Sequence, residues 1–205
     1  MAVSLAAPLF ASGPPSLARL KVEQYDQMLE LDILEEGTAL ELIDGYLLEK
    51  DRADRGKDPQ HKNRHSQVVD RLKAALSAGC AAAGWHVQQH EPIVVSLWSA
   101  PEPDLAVVTC PLESLEHVPN EENLALIVEV SDGTLDFDRR VRVPLYAAAG
   151  VPLWIVNLVD LVIETYGGAD REAATYGKHE VLRPGQMLRW ETASPLEFAV
   201  ADILG

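Results

Sequence analysis

The stretch LALIVEVS at 124–131 is an almost unbroken apolar run interrupted by one carboxylate, Glu129. A strand rich in Val, Leu and Ile over its whole length belongs in a sheet covered on both faces, because an alternating pattern would suffice if one face met water. A second run of this kind, DLAVVTC at 104–110, lies upstream and also begins on an acid, Asp104. Two such strands require layers above and below one sheet, so the expected fold class is α/β or α+β with a mixed central sheet flanked by helices. Alternation along 124–131 places Leu126, Val128 and Val130 on one face and Ile127 with Glu129 on the other.

The remaining segments supply those layers. LKVEQYDQMLELDILEEG carries Val22, Tyr25, Met28, Leu29 and Leu31 at helical spacing and runs to Gly37. ALELIDGYLLEK reads as two short strands around Asp44-Gly45, a strong hairpin signal, with Glu41 on the first strand. Residues 51–64 have no periodicity and hold the one markedly basic stretch, with Arg52, Arg55, Lys57, Lys62 and Arg64 beside His61, so they read as an exposed loop. HSQVVDRLKAALSAG then groups Val68, Val69, Leu72, Ala75 and Leu76 on one helical face, and WHVQQHEPIVVSL reads as strand. DFDRRVRVPLYAAAG predicts a third helix limited or kinked by Pro144. VPLWIVNLVDLVIETY predicts a hairpin turning near 157–160, followed by shorter strands around 175–182 and 186–191. Residues 1–19 read as a flexible tail and 20–205 as a single domain without internal repeats.

Bulk properties narrow the function. A formal net charge of -15 argues against a broad basic surface for nucleic acid, since phosphate contacts need clustered Lys and Arg. Cys80 and Cys110 lack the CxxC spacing of a zinc or redox site and read as thiols in a reducing compartment. The N-terminal MAVSLAAPLFASGPP lacks a basic leader and is interrupted by Pro8, and no apolar run approaches membrane-spanning length, so the expected location is cytoplasmic with no membrane partner. Neither G-x-S-x-G, a P-loop nor a dinucleotide-binding glycine pattern is present. Trp85, Trp98, Trp154 and Trp190 read as packing residues because none lies in a basic cluster, and Tyr146 as a residue packing helix on sheet. His86 and His90 share a strand face but stand roughly 13 Å apart at that spacing, too far for one ion.

Three acids lie in strand-like apolar surroundings: Glu41 in LELI, Asp104 in PDLAVV and Glu129 in LIVEVS. Converging carboxylates repel unless protonated or bridged by a cation, and oxygen-only ligands suit Mg²⁺ or Mn²⁺. Separate structural ion pairs give the same local pattern, so both readings stand on residues alone.

The successive blocks ELIDGYLLEK, HSQVVDRLKAAL, PEPDLAVV and LIVEVSDGTLDFDRRVRVPLYAAAGVPLWIVNL resemble, in order, those of the Uma-type putative restriction endonuclease family, a branch of the PD-(D/E)XK nuclease superfamily. The resemblance implies a restriction-endonuclease-like core with added β-hairpins and a Mg²⁺- or Mn²⁺-dependent endonuclease acting on nucleic acid. By position, Glu41 matches the acid after the first helix, Asp104 the metal-binding aspartate and Glu129 the acid of the (D/E)XK motif. The backbone carbonyl of Val130 completes the implied metal shell, and His65 matches an accessory histidine at a helix start. The literal lysine site holds Ser131, and the family's lysine in a DRxxK pattern is here Arg142, in Asp138-Arg139-Arg140-Val141-Arg142. Arginine stays protonated, so Arg142 can stabilise charge but transfers protons poorly. The alternative is a weakened or inactive nuclease fold serving as an interaction module; a homodimer is left open.

Overall fold

The computed structural model describes residues 17–34, 40–49, 59–115, 117–190 and 195–205, the side chains of 59–62 excepted. Six strands form the central sheet: β3 (His86–Gln89), β4 (Leu105–Val108), β5 (Leu124–Ser131), β6 (Leu153–Asn157), β7 (Val162–Asp170) and β8 (Thr175–Leu182), in that spatial order. Only β5 and β6 pair in parallel, which requires a crossover, and a helix supplies it. Two antiparallel hairpins stand apart from this sheet: β1 (Leu40–Ile43) with β2 (Tyr46–Glu49), and β9 (Met187–Trp190) with β10 (Leu196–Ala199). The expected mixed sheet with added hairpins is therefore the architecture found.

The apolar runs are central because both faces are covered. Leu126, Val128 and Val130 of β5 pack with Leu105 and Val107 of β4 against Val68, Val69, Leu72 and Leu76 of α2 (Pro59–Cys80). Helix α4 (Val200–Leu204) and an aromatic group extend this layer, with Trp154 and Trp190 ring centroids 6.0 Å apart. On the opposite face Ile127, Leu153 and Ile155 meet Tyr146 and Ala149 of α3. Each side chain of this size contributes roughly 1.5–3 kcal/mol on burial, so the two layers fix the register of β5 and with it the face that Glu129 occupies. Trp85, Trp154 and Trp190 pack as expected, Trp98 instead lies under the Arg19 guanidinium at 4.7 Å, and both cysteines are free thiols.

Helix α3 is one continuous helical rod of changing pitch. It starts as α-helix over Leu135–Phe137, widens to a π-helical turn over Asp138–Arg142 and returns to α-helix over Val143–Ala149, ending at Gly150 with φ 80. Pro144 accounts for the widening, since it has no N–H for the Arg140 carbonyl and its ring crowds that carbonyl in an α-helical turn. The helix survives the proline that was expected to limit it.

Three expectations change. Residues 59–64, expected in a loop, form the first turns of α2, with Pro59 at the helix start where its lost N–H has no intrahelical partner to miss. The first helix, α1 (Val22–Glu30), stops short of Gly37, and Asp32 turns the chain with φ 52. Strand β3 ends at Gln89 because His90 takes φ 54 and Pro92 cannot donate to a ladder. Residues 1–16 of the expected tail and 51–58 of the expected loop lie outside the described residues. Among the described residues no helix is long and apolar enough to cross a membrane.

Candidate active site

Each sequence-predicted acid reaches one cavity by a different route. Asp104 directly precedes β4, where the antiparallel pairing of Leu105 with Val128 sets it beside the end of β5. Glu129 leaves β5 on the α3 side of the sheet, with the buried Ile127. Glu41 comes from the β1–β2 hairpin, whose Asp44-Gly45 turn has positive φ at both residues. That hairpin is tied to the segment before Asp104: the Ala100 N–H donates to the Leu42 carbonyl at 2.8 Å and the Glu102 N–H to Glu41 Oε2 at 3.3 Å. Together with His65, Val130, Asp138 and Arg142, the three acids line a cavity of about 420 Å³.

Arg142 is the hub of its wall. The side chain is buried, with Nη2 on Glu41 Oε1 and Oε2 at 2.8 and 3.0 Å, Nη1 on Glu129 Oε1 at 2.9 Å and on the Tyr146 hydroxyl at 3.0 Å, and Nε on Asp138 Oδ1 at 3.2 Å. Nη1 and Nη2 make four hydrogen bonds to protein, and Nε is ion-paired with Asp138. Asp138 Oδ2 also accepts from Ser131 Oγ at 2.7 Å and Thr134 Oγ1 at 2.8 Å. The residue at the literal lysine site thus anchors the acid that steadies the arginine. Tyr146 packs helix on sheet as expected and also donates to Glu129 Oε1 at 2.7 Å.

Asp104 is held differently. Its Oδ2 accepts the Val130 N–H at 2.7 Å and lies 3.3 Å from His65 Nε2, while Oδ1 lies 3.2 Å from His90 Nε2. Burial works to raise its pKa, but the hydrogen bonds from His65 and His90, the charge of His65 and the Val130 N–H overcome it and hold Asp104 below the ordinary carboxylate range. Glu129 goes the other way: burial, with Asp104 and Asp138 nearby, outweighs Arg142 and Tyr146 and pushes it up to about 8. Asp138 is also raised, chiefly by burial.

The oxygen donors fit a hard divalent cation in two respects. Six carboxylates (Glu41, Glu49, Glu102, Asp104, Glu129 and Asp138) line the cavity against a single guanidinium. Both hydrogen bonds to Glu129 fall on Oε1, which leaves Oε2 as the oxygen to offer, and Val130 adjoins Asp104 through its N–H. As the side chains stand, no group of three or more His, Cys, Asp or Glu among the described residues is spaced to hold a metal ion.

His90 was missed because it was weighed only against His86. Strand alternation does separate those two: His86 Nδ1 contacts the Cys110 carbonyl at 2.6 Å, away from the cavity. Positive φ at His90 takes that residue out of the strand pattern and lets it turn to Asp104. Asp138 was legible in retrospect from its i, i+4 relation to Arg142.

A mixed sheet carrying an acid-lined cavity where β4 begins and β5 ends defines an α+β fold with one carboxylate-rich site. Its fold is similar to that of a crystal structure from Anabaena variabilis ATCC 29413, described as a putative nuclease belonging to DUF820, with TM-score 0.62, 12% identity, and coverage of 90% of this chain and 97% of that one. The model of the family described as "Uma2: Putative restriction endonuclease" matches residues 22–201, and the chain belongs to that family. No curated protein matches it.

Proposed function

We propose that the cavity hydrolyses phosphodiester bonds in nucleic acid with a divalent cation, Mg²⁺ or Mn²⁺, held by Asp104, Glu129 and the Val130 carbonyl. The carrying observation is the convergence of Glu41, Asp104, Glu129 and Val130 on one cavity in a chain of this family. A cation bound there would supply an activated water and neutralise charge developing on the phosphoryl group. The rest is the work of the chain itself. His65 and His90 orient Asp104, and the Arg142 fork fixes Glu41. With its N–H groups committed, Arg142 acts as a positioning residue, balancing charge between Glu41 and Glu129. Without a cation the carboxylates repel a phosphodiester, so substrate binding follows metal binding.

The test incubates the full chain with supercoiled and single-stranded DNA in Mg²⁺, Mn²⁺ or EDTA, beside Asp104→Asn. Metal-dependent cleavage that falls at least about 100-fold in the variant is expected, as for loss of a group that holds an essential metal. Equal cleavage by both proteins sinks the assignment.

One observation favours a second reading, a nuclease fold kept as a binding module: Glu41, Glu129 and Asp138 already share an internal cation. Calorimetry separates the two. Heat of binding with Mg²⁺ or Mn²⁺ that vanishes in Asp104→Asn supports the metal site, and no binding at millimolar metal supports the module.

A further inference from the structure

A second cleft, about 590 Å³, opens beside α3 against β7 and β8. Arg139 and Val143 form one stripe of α3 and line this cleft, while Asp138 and Arg142 form the neighbouring stripe and line the acid cavity. The two spaces therefore share one helix as a wall. Their charges differ in kind: the acid cavity has six carboxylates to one guanidinium, whereas Arg139, Arg183 and His179 line the second cleft with two carboxylates, Glu164 and Asp160.

Both of those carboxylates are already engaged. Glu164 is buried and accepts from Arg139 Nη2 at 2.6 Å, Arg139 Nε at 3.2 Å, Asn157 Nδ2 at 3.0 Å and the Tyr166 hydroxyl at 2.8 Å. Asp160 Oδ2 accepts from Asn157 Nδ2 at 2.9 Å. The Arg139 side chain nonetheless stays 42% exposed and Arg183 is exposed, so the cationic groups face outward. His179 stacks on Tyr166 with centroids 4.4 Å apart and planes at 13°, its side chain is 46% exposed, and its Nε2 lies 3.8 Å from Glu164 Oε2.

Arg139 spends Nε and Nη2 on Glu164, so the exposed Arg183, with the outer edge of Arg139 beside it and the half-exposed His179 ring, supplies the parts that hold a nucleotide: a guanidinium takes a phosphate oxygen, and a ring takes a base by stacking. Because α3 walls both spaces, a strand with its scissile phosphate in the acid cavity has this cleft across one helix from it. We infer that this cleft seats the nucleotide flanking the scissile phosphate, with the phosphate on Arg183 at the outer edge of Arg139 and an unpaired base stacked on the exposed part of the His179 ring. This rests on the nuclease reading above and adds a substrate class to it. A base in a duplex cannot stack on a side chain without unpairing, so the chain takes single-stranded nucleic acid in preference to duplex.

The experiment pairs two probes in Mg²⁺: a fluorescein-labelled oligothymidylate, followed by anisotropy and cleavage, and bis(p-nitrophenyl) phosphate, which is small enough to occupy the acid cavity alone. The variants are His179→Ala, His179→Phe and Arg183→Ala, all at exposed positions. His179→Ala should weaken oligonucleotide binding about 10-fold and His179→Phe restore it, since any ring face serves. Arg183→Ala should reduce the slope of log affinity against log salt by about 0.7, the value for one phosphate contact on a single strand. Hydrolysis of the small diester should be unchanged in all three. Oligonucleotide binding unaffected by His179→Ala and Arg183→Ala, in a wild type that cleaves both probes, overturns the inference and leaves the nuclease reading standing. Equal losses on both probes also overturn it, since the residues would then serve the fold. A wild type that acts on neither probe fails the nuclease reading itself.

Discussion

Arg139 and Arg142 leave the same widened turn of α3, and each ends on a buried carboxylate, yet those carboxylates shift in opposite directions. Burial tends to raise Glu164, but the Arg139 fork, the Asn157 amide and the Tyr166 hydroxyl hold it below its ordinary 4.5. Glu129 also faces a guanidinium and a tyrosine hydroxyl, and burial still drives it to about 8. The difference is deeper burial at Glu129, with more anions sharing its cation. Arg139 serves one carboxylate, whereas Arg142 is divided among Glu41, Glu129 and Asp138, with Asp104 adding its field to Glu129. An arginine beside a buried acid therefore does not by itself fix that acid's charge; the depth of burial and the number of carboxylates sharing the cation decide it with the arginine. One network is balanced internally, and the other retains a demand for positive charge.

Removing each arginine should separate the networks most sharply. Arg142→Met leaves three buried carboxylates without their cation, a change expected to cost about 3–5 kcal/mol, read as a lower urea midpoint at unchanged m. Arg139→Gln should cost about 1 kcal/mol, because that arginine is half exposed and Glu164 keeps two other donors. Equal losses would break the comparison. Arg142→Lys keeps the charge but loses the fork on Glu41, and should fall between them.

The pH dependence of stability should split in sign, by up to a few kcal/mol. Glu129 has a folded pKa above its unfolded value of 4.5, so its contribution is complete below that value and is lost as pH rises through about 8. Glu164 has a depressed folded pKa, so its contribution is present above 4.5 and is lost as pH falls through the folded value. Urea midpoints across the acid to mildly alkaline range should show Glu129→Gln removing a decline that runs from about pH 4.5 to about 8 and Glu164→Gln removing a decline below pH 4.5. A single slope common to both variants would mean that the two acids feel the same field.

Much of this arrangement was legible in residues and some was not, for physical reasons. The apolar runs of β4 and β5 set both the sheet and the face of Glu129, and Asp44-Gly45 set the hairpin that carries Glu41, because these are local patterns with a fixed period. The first turns of α2 were not legible: residues 59–64 are polar, and a helix end without an apolar stripe offers no periodic signal. The site was legible as three isolated acids but not as a network. Arg142 meets Glu41 across 101 positions of chain, a contact that no local spacing encodes. Nor could the sequence show that a π-helical turn, placed by Pro144, would send Arg139 and Arg142 to different strands.

A matched pair of hydroxyl deletions tests the comparison at its finest grain. Tyr146 donates to Glu129 at 2.7 Å and Tyr166 to Glu164 at 2.8 Å, so the two bonds are alike in chemistry and length. Their surroundings are not. Tyr146 is fully buried and its oxygen also accepts from Arg142 Nη1 at 3.0 Å, so Tyr146→Phe strands a guanidinium N–H and withdraws a donor from Glu129 at once. Leaving buried groups unpaired costs about 1–3 kcal/mol, and losing that donor should move Glu129 still higher. Tyr166 stands at an open cleft, where water can replace its hydroxyl, so Tyr166→Phe should cost less than about 1 kcal/mol. Urea titration of the two single variants measures the difference. If Tyr166→Phe proves as costly as Tyr146→Phe, water does not reach Glu164, and the contrast drawn between a balanced open network and a charge-deficient buried one fails at that residue.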